Sequence, residues 1–262
     1  MHLPPITADP RLAPYEPGAE RPLTVFGAPV SLTYLPSRRH RRDRPSVDRP
    51  AFRPSPVPRI LAEEMLWQGE GVAMTPNRYP FARAQRLLWS VAPSREPDLA
   101  MWTTICAWAD ACDGTALLNN VGAAASIARA HAHLTPERLQ FLDTFGERAA
   151  PADLIEVPAG VELVVKDMPY CVLGVRGPAA GRALAIERFA EARLTSTWNV
   201  IATGGTAWLC PRRSETPAPQ FPYPLGAAEL WGRWCYIDRE AFDAATGAML
   251  EQALLAACSP PL

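Results

Sequence analysis

Two histidines stand one residue apart at the end of the stretch Leu117–Thr135, LLNNVGAAASIARAHAHLT. In an extended strand alternate side chains share a face, so His131 and His133 point one way while Ala132 and Leu134 pack the other. Two imidazoles on one face make a nucleophilic site at neutral pH. Just upstream, Asn119-Asn120-Val121-Gly122-Ala123-Ala124-Ala125-Ser126 is built of small residues, which let a phosphate approach backbone N–H groups closely. A packed or solvated histidine pair is the plainer structural alternative. The remaining histidines, His2 and His40, lie in a proline- and arginine-laden leader. With no third histidine and no Cys-x-x-Cys nearby, the pair does not predict a metal site.

A second charged feature is Arg38–Arg53, RRHRRDRPSVDRPAFR, which holds seven arginines against two aspartates. Guanidinium forks bind phosphate oxygens in pairs and stay charged at any working pH, so Arg38 and Arg39, with Arg41 and Arg42, are candidates for a phosphate clamp beside the histidines. A solvated basic loop is the alternative. The prolines exclude a regular basic helix of the kind that reads nucleic acid. A net charge of −1 with 48% hydrophobic residues points the same way, toward an ordinary globular protein without a nucleic-acid partner. No apolar run reaches the roughly 18 residues of a membrane span. The N-terminus lacks the charged-then-apolar pattern of a secretion signal, so a cytoplasmic location is expected. The six cysteines are scattered through apolar stretches and read as reduced core thiols.

The elements that must position these residues follow from periodicity. Residues 1–22, with six prolines, predict an irregular arm, and Leu23–Leu35 a hairpin. Pro56–Gly69 predicts a short helix, Gly71–Trp89 two strands about the turn Pro76–Phe81, and Glu96–Cys112 a helix closed by Gly114. Thr135-Pro136-Glu137 has the cap, proline and acid of a helix start. The Ala-Pro stretch at 149–152 reads as a linker. Strands are predicted at Val161–Val165, Tyr170–Val175, Trp198–Pro211 (two, around Gly204-Gly205) and Gly226–Ile237, and helices at Ala183–Leu194 and Arg239–Cys258. This gives an irregular arm with a hairpin at 1–60, a half carrying the histidine strand at 61–150, and a related half without histidine at 151–262.

Several stretches together resemble the galactose-1-phosphate uridylyltransferase and diadenosine tetraphosphate phosphorylase branch of the histidine-triad (HIT-like, GalT-like) superfamily, and within it the GDP-hexose phosphorylases. The resemblance rests on Asn77-Arg78-Tyr79-Pro80-Phe81, Leu118–Ala123, His131-Ala132-His133, Trp198–Ile201, Leu209–Arg212 and Ala228–Arg233 leading to Asp238–Phe242, over roughly residues 70–258. It implies an α+β fold with a mainly antiparallel sheet from two related halves and helices packed on it. It implies further that His133 attacks the α-phosphate of a nucleotide, with His131 its supporting neighbour and no cofactor required. An acceptor phosphate then resolves the nucleotidyl-histidine. Asn77, Asn119, Gly122, Ser126 and Glu229 fall in or beside the matching stretches as candidate substrate contacts. Thr135 stands where the family has a phosphate-binding glutamine, and the loop before His131 is about two residues longer.

The reading that results is a nucleotidyltransferase of phosphorylase type. Its substrate would be a GDP-hexose-like nucleoside diphosphate sugar or a dinucleoside polyphosphate, taken with a phosphate acceptor by a monomer or homodimer. The alternative is a nucleotide-binding member of the fold without catalysis.

Overall fold

The computed structural model describes Leu3, residues 9–41 and residues 55–262. The segment after 9 runs irregularly to the hairpin β1 (Ala19–Val25) and β2 (Ala28–Tyr34). Its two-residue turn has φ of +49° at Phe26 and +80° at Gly27, the left-handed geometry that matches the twist of paired strands. A 3-10 helix, Pro36–Arg41, follows.

The first half then contains α1 (Val57–Glu64), β3 (Trp67–Gln68), β4 (Val72–Pro76), β5 (Arg86–Ser90), α2 (Leu99–Ala111), β6 (Thr115–Asn119) and β7 (His131–Thr135). The second contains β8 (Glu147–Ala149), β9 (Glu162–Lys166), β10 (Leu173–Arg176), α3 (Ala179–Ala192), β11 (Trp198–Thr203) and β12 (Thr206–Pro211). Next come α4 (Ala227–Leu230), β13 (Arg233–Tyr236), α5 (Arg239–Ala244) and α6 (Gly247–Ala257).

Ten strands form one sheet in the order β3-β4-β5-β7-β6-β11-β12-β10-β9-β8, antiparallel throughout. The units β4-β5-α2-β6-β7 and β9-β10-α3-β11-β12 have the same strand order and meet where β6 pairs with β11. This is the α+β sheet of two related halves expected from the sequence, with one helix inside each unit.

Side-chain alternation divides the interior in two. One face of the sheet, through Leu88, Ala116, Leu118, Ala132, Leu134, Val200 and Leu209, packs on α2 and α3. The other face carries Leu117, Ile201, Trp208 and Cys210 into a core shared with the hairpin, α4, β13 and α6. On that second side β13 pairs in parallel with β2, making a separate three-stranded sheet with the hairpin.

Helix α2 begins where the Asp98 side chain accepts from Met101 N at 2.9 Å. The guanidinium of Arg182, on α3, is fully buried and reaches Asp110 Oδ2 at 2.5 Å, Cys106 O and Thr203 O, while Asp110 Oδ1 accepts from Gly205 N.

Four sequence expectations are corrected. No helix starts at Thr135; the chain has no regular structure until the short 3-10 turn Leu142–Thr144, because Thr135 is consumed by the sheet. The expected linker at 149–152 begins inside β8, which pairs with β9. Gly226–Ile237 is a turn of helix and then a strand. The last helix is two, broken at Ala245, where the backbone turns extended before Thr246 caps α6 through Met249 N.

Removing the carboxylate from the Arg182 pair leaves a buried guanidinium without its counter-charge. Asp110→Ala is therefore expected to lower unfolding stability by about 3 kcal/mol, read from urea denaturation.

Candidate active site

His131 and His133 lie on β7, in the middle of the first half, with β5 on one side and β6 on the other. His133 is directly opposite Leu87 and Leu117, and His131 opposite Trp89. Both rings project from the face turned toward the hairpin and β13, and both are buried, 3% and 5% exposed. His131 stacks on Trp89 with centroids 4.9 Å apart, and Trp89 is itself fixed by its Nε1–H donating to Thr75 Oγ1 at 2.9 Å. His131 Nδ1 lies 2.7 Å from the Arg129 carbonyl. A carbonyl only accepts, so Nδ1 carries a proton in this contact. His133 meets the edge of His131 at 5.5 Å and the ring of Phe81 at 5.1 Å.

Phe81 is held from both sides. Its N–H donates to Gln85 Oε1 at 3.0 Å, and its carbonyl accepts from Arg233 Nη1 at 3.0 Å. Arg233 pairs in turn with Glu137 Oε2 at 2.7 Å, and the other oxygen of Glu137 accepts from Arg83 N. One half-buried ion pair thus fastens the turn before β5 and the chain after β7, the two segments that flank His133. The Arg38 guanidinium lies over the other part of Phe81, 5.3 Å from the ring centroid, so a positive charge stands one aromatic ring from His133. The Arg38 charge also offsets part of the burial that raises the Glu229 carboxyl and the Cys235 thiol. Burial pushes the Cys235 thiol up to about 12, which removes it as a competing thiolate nucleophile.

The loop 120–130 is anchored at both ends. Asn199 Nδ2 donates to Asn119 Oδ1 and to Ala123 O, each at 2.8 Å, and at the other end Arg129 Nε donates to Ser90 O. Between them Gly122 (φ +84°) and Ala124 (φ +73°) turn left-handed; a Cβ at Gly122 would come within 2.8 Å of Thr197 Cγ2. The Ala124 N–H donates to Glu215 Oε1 at 2.9 Å, so one amide of this loop is already engaged by a carboxylate oxygen.

The structure therefore brings together His131, His133, Arg38 and, one register step beyond the Leu118–Ala132 pair, Asn119. Gly122 and the half-buried Ser126 lie in the loop that leads to them. Three candidates have structural work instead. Asn77 donates to Gln85 Oε1 and accepts from Tyr79 N, shaping the turn behind Phe81. Glu229 is buried and caps its own helix, with Oε2 on Gly226 N at 2.8 Å. Thr135 is fully buried, donating to Arg83 O at 2.9 Å and accepting from Glu137 N at 3.2 Å, so it is not a phosphate contact in this geometry. The Arg39 side chain and Arg42 lie outside the described residues.

Sequence reasoning missed the roles of Phe81, Trp89, Asn199, Arg233 and Glu137. Among the described residues no group of three His, Cys, Asp or Glu is placed to hold a metal ion, and no helix is long and apolar enough to cross a membrane.

No protein-family model matches the sequence, and no curated protein matches it. Solved structures match its fold. Yeast Ap4A phosphorylase Apa2 in complex with Ap4A superposes with a TM-score of 0.72 at 13% identity, over 96% of this chain and 93% of that one. The same enzyme in complex with AMP gives 0.68 at 15%, over 96% and 91%. An ADP-glucose phosphorylase from Arabidopsis thaliana overlaps more loosely, at 0.45 and 10%, over 90% and 99%. The chain thus shares the fold of yeast Ap4A phosphorylase Apa2, the α+β fold with a mainly antiparallel sheet that was expected from its motifs.

Two outcomes test these assignments. Thr135→Val, which removes a hydroxyl used twice, is expected to lose about 1–2 kcal/mol in urea denaturation with no change in nucleotide affinity. Burial raises the Glu229 carboxyl above its ordinary value of 4.5, so the folded chain binds a proton there more tightly than the unfolded chain. The corresponding stability is present below the unfolded pKa and is lost as pH rises through the folded one. Denaturation midpoints from acid to neutral pH are expected to fall less in Glu229→Gln than in wild type over that window.

Proposed function

We propose that the chain is a nucleotidyltransferase of phosphorylase type that carries a nucleotide on His133. In the first step a His133 ring nitrogen attacks the α-phosphorus. A P–N bond forms, and the P–O bond to the sugar phosphate, or to the rest of a dinucleoside polyphosphate, breaks. In the second, an oxygen of inorganic phosphate attacks the same phosphorus, the P–N bond breaks, and a nucleoside diphosphate leaves. Splitting one displacement in two in this way suits a neutral imidazole nucleophile.

The observation that carries the reading is the rigid mounting of two imidazoles on one strand face, one held at Nδ1 by the Arg129 carbonyl, beside the Arg38 charge. A preorganised cation stabilises charge on the phosphoryl oxygens without rearranging during reaction. The fold shared with yeast Ap4A phosphorylase supports a nucleotide substrate. GDP-hexoses and dinucleoside polyphosphates are the two substrate classes to try. The burial of both rings favours one other reading, a nucleotide-binding protein without turnover.

Incubation with GDP-hexoses, UDP-sugars and Ap4A, each with phosphate, is expected to give turnover with at least one, and a His133-linked nucleotide by mass spectrometry. His133→Ala should abolish turnover and keep nucleotide binding, while His131→Ala should only slow it, by about 10²-fold. Turnover by His133→Ala equal to wild type would end the covalent mechanism. Equal thermal stabilisation of both proteins by nucleotide, with turnover by neither, would establish the binding protein instead.

A further inference from the structure

The turn that leads from Phe81 into β5 is tied down at Phe81, Arg83, Ala84 and Gln85. Phe81 N donates to Gln85 Oε1 at 3.0 Å, and that oxygen also accepts from Asn77 Nδ2 at 2.7 Å. Arg83 bonds the chain after His133 twice, its N–H to Glu137 Oε1 and its carbonyl to Thr135 Oγ1. Ala84 is left-handed at φ +48°, with its carbonyl accepting from Arg86 Nη1 at 2.9 Å. A residue with a Cβ keeps such a conformation only where its surroundings over-determine it.

A further tie comes from outside the large sheet. Arg233, on β13, is buried, and its guanidinium lies over the rings of Tyr15 and Trp231 at 5.3 and 5.4 Å. Nη1 donates to Phe81 O at 3.0 Å and Nη2 to Glu137 Oε2 at 2.7 Å, so one planar fork spans the turn before β5 and the chain that leaves β7. Both segments flank His133. The strand fixes the Cα of His133 but not the torsions of its side chain, and the imidazole is confined by the Phe81 ring at 5.1 Å and the His131 ring at 5.5 Å.

Building on the covalent reading above, we infer that Arg233 is a positioning residue for His133, acting through Phe81. The guanidinium holds the Phe81 backbone, the Phe81 ring holds the imidazole, and the attacking nitrogen stays in line with the P–O bond that breaks. A nucleophile turned out of line loses rate and not affinity, because binding the nucleotide does not require that alignment.

Arg233→Lys keeps the charge without the fork, and is expected to lower kcat about ten-fold on whichever substrate the wild type turns over, with KM unchanged. In Phe81→Leu, where the intermediary ring is gone, the same substitution should lower kcat no further. The ring-proton resonance of His133, identified by its loss in His133→Ala, should move in Arg233→Lys with no nucleotide present, as the Phe81 ring shifts against it. If Arg233→Lys does not fold, Glu137→Gln, which releases one arm of the fork, is expected to give the same readouts. An unmoved His133 resonance, an equal loss of kcat in the Phe81→Leu background, or a loss confined to KM would overturn the positioning role. No turnover by the wild type with any substrate, alongside a resonance that moves, would overturn the covalent reading and support Arg233 as the residue that orients the ring.

Discussion

Arg212 is a cation with almost no access to water, and the protein around the histidine strand is arranged to accommodate it. Its guanidinium donates to Asn199 Oδ1 and Leu225 O at 2.6 Å, to Ser214 O at 2.8 Å and to Ala257 O at 3.1 Å. A buried charge is tolerated only when its donors are met, and here they are met by carbonyl oxygens from three separate segments. Because Arg212 occupies the oxygen of Asn199, the Asn199 amide must present its N–H groups the other way, to Asn119 and Ala123. Asn119 Oδ1 also receives the Ala227 amide at 2.7 Å. One residue at the end of β12 thereby sets the start of the loop that reaches the histidines, the entry to α4 and the close of α6.

The two halves share a plan and differ in what they place on it. In the first, the face of β7 carries imidazoles. In the second, the corresponding face of β12 carries Trp208 and Cys210, and Lys166 lies over the Trp208 ring at 4.4 Å while pairing with Glu147 at 2.8 Å. Tyr170 and Phe26 pack beside them. The equivalent of the histidine site is filled by core side chains, so one half carries the candidate chemistry and the other supports it.

Much of this was legible in the sequence. The alternation in HAHLT gave the strand and the shared face of the histidines, and the glycines and prolines marked most turns. What was hidden are the pairings between distant segments. Nothing local in WGR tells that Arg233 reaches Phe81 and Glu137, and nothing in LCPR tells that Arg212 is buried under Leu225 and Ala257. Thr135 misled for a related reason. Threonine, proline and glutamate have the local chemistry of a helix start, but the threonine hydroxyl bonds Arg83 O from across the sheet, and tertiary pairing overrode the local preference.

The short outermost strands have a consequence of their own. Ten strands in one open sheet offer two free margins, each a row of unpaired amides and carbonyls able to recruit a foreign strand. Among the described residues the margins are β3, with two residues, and β8, with three. β8 carries Glu147 and Arg148, while the long inner strands are covered by their neighbours. The two halves join through β6 and β11, so what remains for another chain to grip is too brief and too charged to seed growth of the sheet, and the fold guards itself against aggregation at the places where so wide a sheet is most vulnerable.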